Sequence, residues 1–258
     1  MKNSLCLRKA VLGAFVIAAV FFSRASLAAE VTGASTQKVV QNYGKLVLAF
    51  EANQGQTNGQ VKFLSHGKGY TLFLTPTEAV LKGTSTLRME LVGARRDSRM
   101  VGLELLPGKS NYLIGKDPNK WKRNIPSYAR VKQEGVYPGI DVVYYGNQGE
   151  LEYDFIVAPG ADPKAINLVF HEADRAAVDA DGSLVLQVAS SEVKFRRPVV
   201  YQERDGVRTP IAAGYILNPK SKIENRATVA HNRSPKSLSV GFQVAAYDHA
   251  RPLVIDPV

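Results

Sequence analysis

Residues 136–163 read VYPGIDVVYYGNQGELEYDFIVAPGADP, and this stretch decides the fold. Two apolar runs, residues 140–145 and 151–157, flank the tetrapeptide GNQG at residues 146–149, and Pro and Gly bound the stretch on both sides. Short apolar runs on either side of a Gly-containing turn are typical of a β-hairpin. The sequence therefore predicts an antiparallel hairpin with its turn at residues 146–149.

One face of this hairpin is predicted to be wholly apolar. Side chains alternate between the two faces of a strand, so every second residue points the same way. The apolar face consists of Ile140, Val142, Tyr144, Leu151, Tyr153 and Phe155. We expect it to lie in the core.

The other face carries the best chemical candidates of the chain. With the turn at residues 146–149, Asp141 lies opposite Asp154, and Glu152 follows one step away. Opposed side chains start about 4.5–5.5 Å apart, and like charges placed so repel. A cation, a shared proton or a basic side chain must compensate. The sequence favours a neutralising arginine, for which it offers Arg123, Arg130, Arg196 and Arg197.

The same carboxylates are candidate catalytic residues of a hydrolase. Two carboxyls about 5–5.5 Å apart suit a retaining glycosidase, in which one attacks the sugar and the other donates a proton. Asp141, Asp154 and Glu152 would carry that chemistry. It is the alternative to a structural ion pair.

The remainder of the chain repeats the strand pattern. Short apolar runs are broken every eight to twelve residues by Gly, Pro, Asn or Asp, which is the rhythm of a sandwich or barrel. Residues 237–247 alternate most clearly, whereas residues 218–236 are polar and basic and predict a long loop with one edge strand at residues 227–230. We expect an all-β, antiparallel β-sandwich, as one body or as two packed sub-sandwiches, with little helix.

The N-terminus has the composition of a secretory signal peptide. Residues 1–28 begin with a basic segment, continue with an apolar run over residues 10–22 and end in small residues. Thirteen apolar residues fall short of the roughly 20 that cross a bilayer. We expect cleavage near Ala28, a loosely ordered segment over residues 29–44, and a β-domain over residues 45–258.

Cleavage would also change the charge and thiol content. Four cations, Lys2, Arg8, Lys9 and Arg24, would leave with the signal and take the formal charge from +10 to +6. The sole cysteine, Cys6, would leave too, which excludes disulfides and Cys nucleophiles from the mature chain. We expect no integral membrane segment after cleavage, no cofactor, and a location at the cell surface, outside the cell or in the periplasm.

A second candidate site surrounds the only tryptophan. Trp121 lies among the cations Lys120, Lys122 and Arg123, and an exposed aromatic ring beside cations can stack on a sugar. More often such a Trp belongs to the core while its neighbours extend to solvent. We therefore expect a core role and keep a lectin-like site as the alternative.

Other sequence features predict no metal or nucleic-acid site. Residues 179–183 read DADGS, but the spacing of their Gly and of Glu192 does not fit an EF-hand, so a tight turn is expected. The four histidines, His66, His171, His231 and His249, stand far apart without paired acids. The basic run at Arg95, Arg96 and Arg99 is read as a solvated loop.

Several long phrases resemble a known family. They are FEANQGQ (50–56), GYTLFLTPTEAVL (69–81), LPGKSNYLIGKDPNKW (106–121), IPSYARVKQEGVYPGIDVVYYGNQGELEYDFIVAPGADP (125–163) and PLVIDP (252–257). They resemble the N-terminal domain of bacterial SBBP-repeat, or seven-bladed β-propeller-repeat, cell-surface proteins. The resemblance implies an exported β-rich domain, here without the propeller repeats that would follow, and supplies no catalytic residues.

These observations favour a non-catalytic β-sandwich with a binding or structural role at the bacterial cell surface. Its expected partners are cell-surface polysaccharides or other surface proteins. A carbohydrate-active hydrolase using Asp141 and Asp154 is the first alternative, and a lectin-like module around Trp121 is the second.

Overall fold

The computed structural model describes residues 48–218 and 238–257. Nearly all of the regular structure in these residues is β-strand. The strands are β1 (Phe50–Ala52), β2 (Phe63–Gly67), β3 (Tyr70–Leu74), β4 (Glu78–Lys82), β5 (Thr86–Leu91), β6 (Arg99–Tyr112), β7 (Lys122–Tyr137), β8 (Ile140–Asn147), β9 (Glu150–Val157), β10 (Leu168–His171), β11 (Arg175–Val178), β12 (Leu184–Val188), β13 (Ser191–Phe195), β14 (Val199–Arg204), β15 (Val207–Ile211), β16 (Ala213–Asn218), β17 (Leu238–Val244) and β18 (Leu253–Asp256). Two 3-10 turns, Pro118–Lys120 and Pro163–Ala165, complete the list. The predicted all-β class is confirmed.

Fifteen strands form one antiparallel sheet. Its order is β15-β14-β18-β9-β8-β7-β1-β2-β3-β4-β5-β10-β17-β16, and β6 pairs with β7 beside this path. A second, antiparallel sheet has the order β11-β12-β13. Most neighbours are consecutive hairpins, but β18 inserts between β14 and β9, which precede it by about fifty residues or more.

The large sheet folds over itself, so that its two ends enclose the core. Phe155 on β9 and Phe242 on β17 are far apart in strand order, yet their ring centroids lie 6.0 Å apart. The small sheet packs against the same core through Phe195 on β13, whose ring lies 5.3 Å from that of Phe170 on β10. This layered arrangement is the predicted antiparallel sandwich.

The β8–β9 hairpin has the predicted faces but a different register. Tyr144, Tyr153 and Phe155 are almost fully buried, as the alternation predicts. The turn is the two-residue pair Gln148-Gly149, with φ of +53° and +85°, and such double positive φ suits the strand twist. The predicted turn at residues 146–149 is therefore wrong, and each β8 residue pairs two positions further along β9.

Gly146 belongs to the strand and not to the turn because Leu48 packs directly against it. A Cβ at position 146 would clash with the backbone and side chain of Leu48. The glycine that suggested a turn in the sequence thus permits a close approach of the chain just before β1.

Strands β6 and β7 form a ribbon longer than predicted. The sequence predicts short strands broken every eight to twelve residues, whereas β6 runs continuously from Arg99 to Tyr112 with two irregularities in its pairing with β7. Pro107 lies at one irregularity, where a missing N–H costs no ladder hydrogen bond on an edge strand. Strands β11 and β15 were not predicted, because neither RAAV nor VRTPI alternates apolar with polar residues.

The remaining predictions concern a tight turn, the N-terminal segments and membrane-spanning helices. The residues that read DADGS form the expected tight turn between β11 and β12, with the amide of Gly182 donating to the carbonyl of Asp179 at 3.0 Å. The predicted signal peptide, the segment over residues 29–44 and the edge strand at residues 227–230 lie outside the described residues. Across the described ranges, no helix has the length and apolar character needed to traverse a bilayer.

The apolar face of the β8–β9 hairpin should dominate stability. Phe155→Ala removes a fully buried ring that contacts Tyr153 and Phe242, and we expect the free energy of unfolding to fall by about 3–5 kcal/mol. Urea unfolding followed by fluorescence measures the loss. Val143→Ala, a truncation on the opposite face of the same hairpin, is the control and should cost less than about 1 kcal/mol. Equal losses in the two variants would contradict this assignment of faces.

Candidate functional site

Asp141 and Asp154 do not face each other. Because of the two-residue change in register, Asp141 lies opposite Ile156 and Asp154 opposite Val143. Asp141 forms an ion pair with Lys132, whose Nζ lies 2.9 Å away, and accepts a hydrogen bond from the amide of Gly135 at 2.7 Å. The predicted acid pair is therefore wrong. The prediction of an arginine partner is also wrong for Asp141, since a lysine neutralises it.

Asp154 has a different carboxyl beside it, that of Asp256. The β9–β18 register pairs Val157 with Leu253 and Phe155 with Ile255, which brings Asp154 and Asp256 together on the outer face of the sheet. The two carboxyls are close enough to interact, and Oδ1 of Asp256 is buried with no hydrogen-bond partner among the described residues. The hydroxyl of Tyr145 also donates to Asp154 at 3.0 Å. The structure thus contains an acid pair, but between strands that are a hundred residues apart.

The surroundings of the pair favour one shared proton. Partial burial, followed by the negative charges of Asp154 and Glu152, raises the pKa of Asp256 to about 7. Burial also raises the pKa of Asp154, although the Tyr145 hydroxyl and the Arg130 charge oppose this. A proton carried by Asp256 and donated to Asp154 removes the repulsion between two close carboxylates.

Basic groups near the pair are turned toward aromatic rings. Arg130 lies 5.5 Å from the ring centroid of Tyr145, and Arg208 lies 4.3 Å from that of Tyr201. Arg130 and Arg208 also form ion pairs with Glu104 and Glu203, respectively. The pair thus lies on a face of mixed aromatic and charged side chains. Because Arg130 and Arg208 are paired with other acids, a shared proton reduces the negative charge of the two carboxyls.

The Trp121 cluster is only partly assembled. Trp121 is half-buried at the far end of the β6–β7 ribbon, where its Nε1 donates to the carbonyl of Gly115 at 3.0 Å. Arg123 stacks 5.0 Å from the ring centroid, whereas Lys122 lies against Gly55 and Lys120 is exposed in the 3-10 turn. The expected core role is wrong, because Trp121 lies at the tip of a ribbon outside the hydrophobic core.

A hydrogen-bonded chain around Glu51 was not anticipated from the sequence. Glu51 on β1 is buried and accepts hydrogen bonds from Ser110 at 2.5 Å and from the Tyr112 hydroxyl at 2.7 Å. The Tyr112 oxygen lies 3.2 Å from Nε2 of His66. These contacts attach the β6–β7 ribbon to β1 and β2. The only sequence signal was an acid beside the inward-facing Phe50.

The histidines differ in their partners. Nε2 of His171 lies 2.7 Å from Glu90 on β5, contrary to the expectation of unpaired histidines, while the ring of His249 stacks on Tyr247 at 4.2 Å. His231 lies outside the described residues. Within residues 48–218 and 238–257, no group of three or more His, Cys, Asp or Glu side chains could hold a metal ion.

A large cleft opens on the outer face of β16 and β17. Its volume is about 800 Å³, within the range of ligand sites. The 3-10 turn Pro163–Ala165 and the loop that carries Tyr247 and His249 form its walls, and Gly241 on β17 lies at its floor. Neither Asp154 nor Asp256 lines it.

Comparison with known proteins identifies a family. A model of the DUF7948 family, described as a domain of unknown function, matches residues 50–258, and the chain belongs to this family. Neither the curated proteins nor the solved structures include a match to the chain.

The acid pair should make stability depend on pH. The pKa of Asp256 is raised to about 7, above its unfolded value near 4. The stability that the protonated carboxyl contributes is therefore fully present below about pH 4. It is lost as the pH rises through about 7, where the folded protein must give up this proton. Asp256→Asn removes the repulsion. We expect the variant to gain about 1–2 kcal/mol over the unmodified protein between pH 4 and pH 8, after allowance for solvent screening.

Urea unfolding at a series of pH values measures this difference. Asp205→Asn is the matched control, because Asp205 is an exposed carboxylate in a turn with φ of +52°, which Asn tolerates. Its stability should run parallel to that of the unmodified protein. A pH profile of Asp256→Asn that is also parallel would show that no proton is shared.

Proposed function

We propose that this chain is an exported, non-catalytic binding domain that acts at the bacterial cell surface, of the type found at the N-terminus of SBBP-repeat proteins. The leader-like composition of residues 1–28 supports export. The long phrases that resemble SBBP-repeat proteins support the cell-surface location. An excess of basic residues suits anionic surface polymers.

The observation that carries the binding role is the separation between the concave surface and the carboxyls. The 800 Å³ cleft is lined by aromatic, amide and apolar side chains together with one acid and one lysine. The acid pair Asp154 and Asp256 lies on other strands, β9 and β18. Catalysis requires a reacting group within hydrogen-bond reach of the bound substrate. A ligand held in the cleft would not meet this pair.

A hydrolase is the second candidate, because one observation favours it. Asp256 has a pKa of about 7 beside a second carboxyl, and a poised acid of this kind is common at catalytic sites. The roles would then fall to Asp154 and Asp256 and not to Asp141. The β9–β18 register sets these carboxyls directly opposite each other, however, and they interact closely enough to shift each other's pKa, whereas a retaining glycosidase keeps its two carboxyls about 5–5.5 Å apart.

Binding and turnover distinguish the two candidates. The unmodified protein is incubated with cell-wall and exopolysaccharide preparations, and bound protein and released reducing ends are both measured. We expect binding without release of sugar, because the cleft contains no acid pair. Turnover that is abolished by Asp154→Asn or Asp256→Asn, and kept by Asp141→Asn, would establish the hydrolase instead.

Export is tested by the N-terminus of the mature protein. The full chain is expressed in a bacterial host, and the secreted or periplasmic form is analysed by mass spectrometry. We expect the mature chain to begin near Ala29, because Ser26, Leu27 and Ala28 precede the predicted cleavage site. Deletion of residues 2–28 should leave the protein in the cytoplasm. An uncleaved chain in the cytoplasmic fraction would contradict the proposal.

A further inference from the structure

The floor of the 800 Å³ cleft is a glycine that the fold itself does not require. Gly241 lies within β17, opposite Ile216 on β16. A Cβ built at Gly241 would meet only the carbonyl oxygen of Ile166, at an ordinary 3.6 Å. Glycine inside a strand lowers its stability and often marks a place where a ligand approaches. The missing side chain leaves the floor of the cleft open.

The walls offer flat apolar surface. The exposed ring of His249 stacks on that of Tyr247, the two ring centroids being 4.2 Å apart, and Tyr247 in turn packs against the core. The backbone amide of Gly160 donates to the carbonyl of His249 at 2.9 Å, which holds this loop in place. Ile216 is 38% exposed beside the floor. A ligand with its own flat apolar face can therefore stack in this cleft.

The rim offers hydrogen-bonding groups of both kinds. The side-chain oxygen of Asn167 accepts from Ser239 at 2.6 Å, so its amide nitrogen remains the group available to a ligand. Gln243 is exposed on the same outer face of β17 and can both donate and accept. Asp162 and Lys164 lie together on one wall. Their opposite charges leave the cleft without a strong net field.

We infer that this cleft binds a short neutral oligosaccharide, a proposal that rests on the binding role proposed above. A sugar ring has an apolar face of C–H groups that stacks on an aromatic side chain, and its hydroxyls both donate and accept hydrogen bonds. A polyanion would need an excess of cations, because phosphate groups are held by clustered Lys and Arg. A lipid chain would leave the Asn167 and Gln243 amides without partners.

Filling the floor tests the site. Gly241→Leu places a side chain in the cleft without removing any polar group, and its backbone does not need positive φ. Gly108→Leu is the matched control, since Gly108 lies on β6 outside this cleft, needs no positive φ, and its Cβ would meet nothing within 4 Å. Thermal unfolding of both variants confirms that they fold. Binding is measured on an array of neutral and acidic oligosaccharides and then by calorimetry with the best neutral one.

We expect the unmodified protein to bind neutral oligosaccharides and Gly241→Leu to lose affinity by about tenfold or more. Gln243→Ala should lose about two- to tenfold, the value of one hydrogen bond. Gly108→Leu and Trp121→Ala should bind as the unmodified protein does.

Two results would overturn the inference while leaving a binding role in place. The first is binding that survives Gly241→Leu and disappears in Trp121→Ala, which would move the site to the end of the β6–β7 ribbon. The second is binding to acidic glycans or to whole cells with none to neutral oligosaccharides. Hydrolysis of the bound sugar would instead overturn the non-catalytic function itself.

Discussion

Aromatic contact across the fold of the large sheet is the interaction on which the remaining structure depends. Tyr153 and Phe155 on β9 stack edge to face at 5.8 Å, and Phe155 continues to Phe242 on β17 at 6.0 Å. Phe242 in turn contacts Tyr215 on β16 at 5.6 Å. Edge-to-face pairs add to the free energy gained by burial alone. This row joins strands that lie far apart in the order of one sheet, and the sheet thereby gains an inner and an outer face.

Because side chains alternate along a strand, the polar residues of each strand then lie on the outer face of the sheet. Where a lysine is in register, as Lys132 is for Asp141, the charge is neutralised at 2.9 Å. Where none is, as at Asp154 and Asp256, a proton takes its place. The same outer surface on β16 and β17 lacks a side chain at Gly241 and becomes concave there. The acid pair and the cleft are thus two places where the outer face differs from an ordinary solvent-exposed sheet, the first in its charge and the second in its shape.

The buried and exposed faces of the strands could be predicted from the sequence, whereas the pairing partners of individual residues could not. A change of two residues in register leaves every side chain of a strand on the same face, so the alternation of Tyr144, Tyr153 and Phe155 identifies the buried face whatever the turn. The same pattern cannot distinguish a turn at residues 146–149 from the observed turn at Gln148-Gly149. The partner of Asp154 comes from β18, and no local pattern links the two strands. The cleft arises likewise from segments far apart in the chain.

The position of β18 constrains the order in which the protein can fold. Its residues, Leu253–Asp256, pair with β9 on one side and with β14 on the other. Until they are in place, β9 and the β14–β15 hairpin each present an unpaired edge. Contacts between residues so distant in sequence form slowly, because a long loop must close first. Exposed edges invite pairing with other chains in that interval. Chaperone protection before completion of the sheet would therefore matter most for β9 and β14.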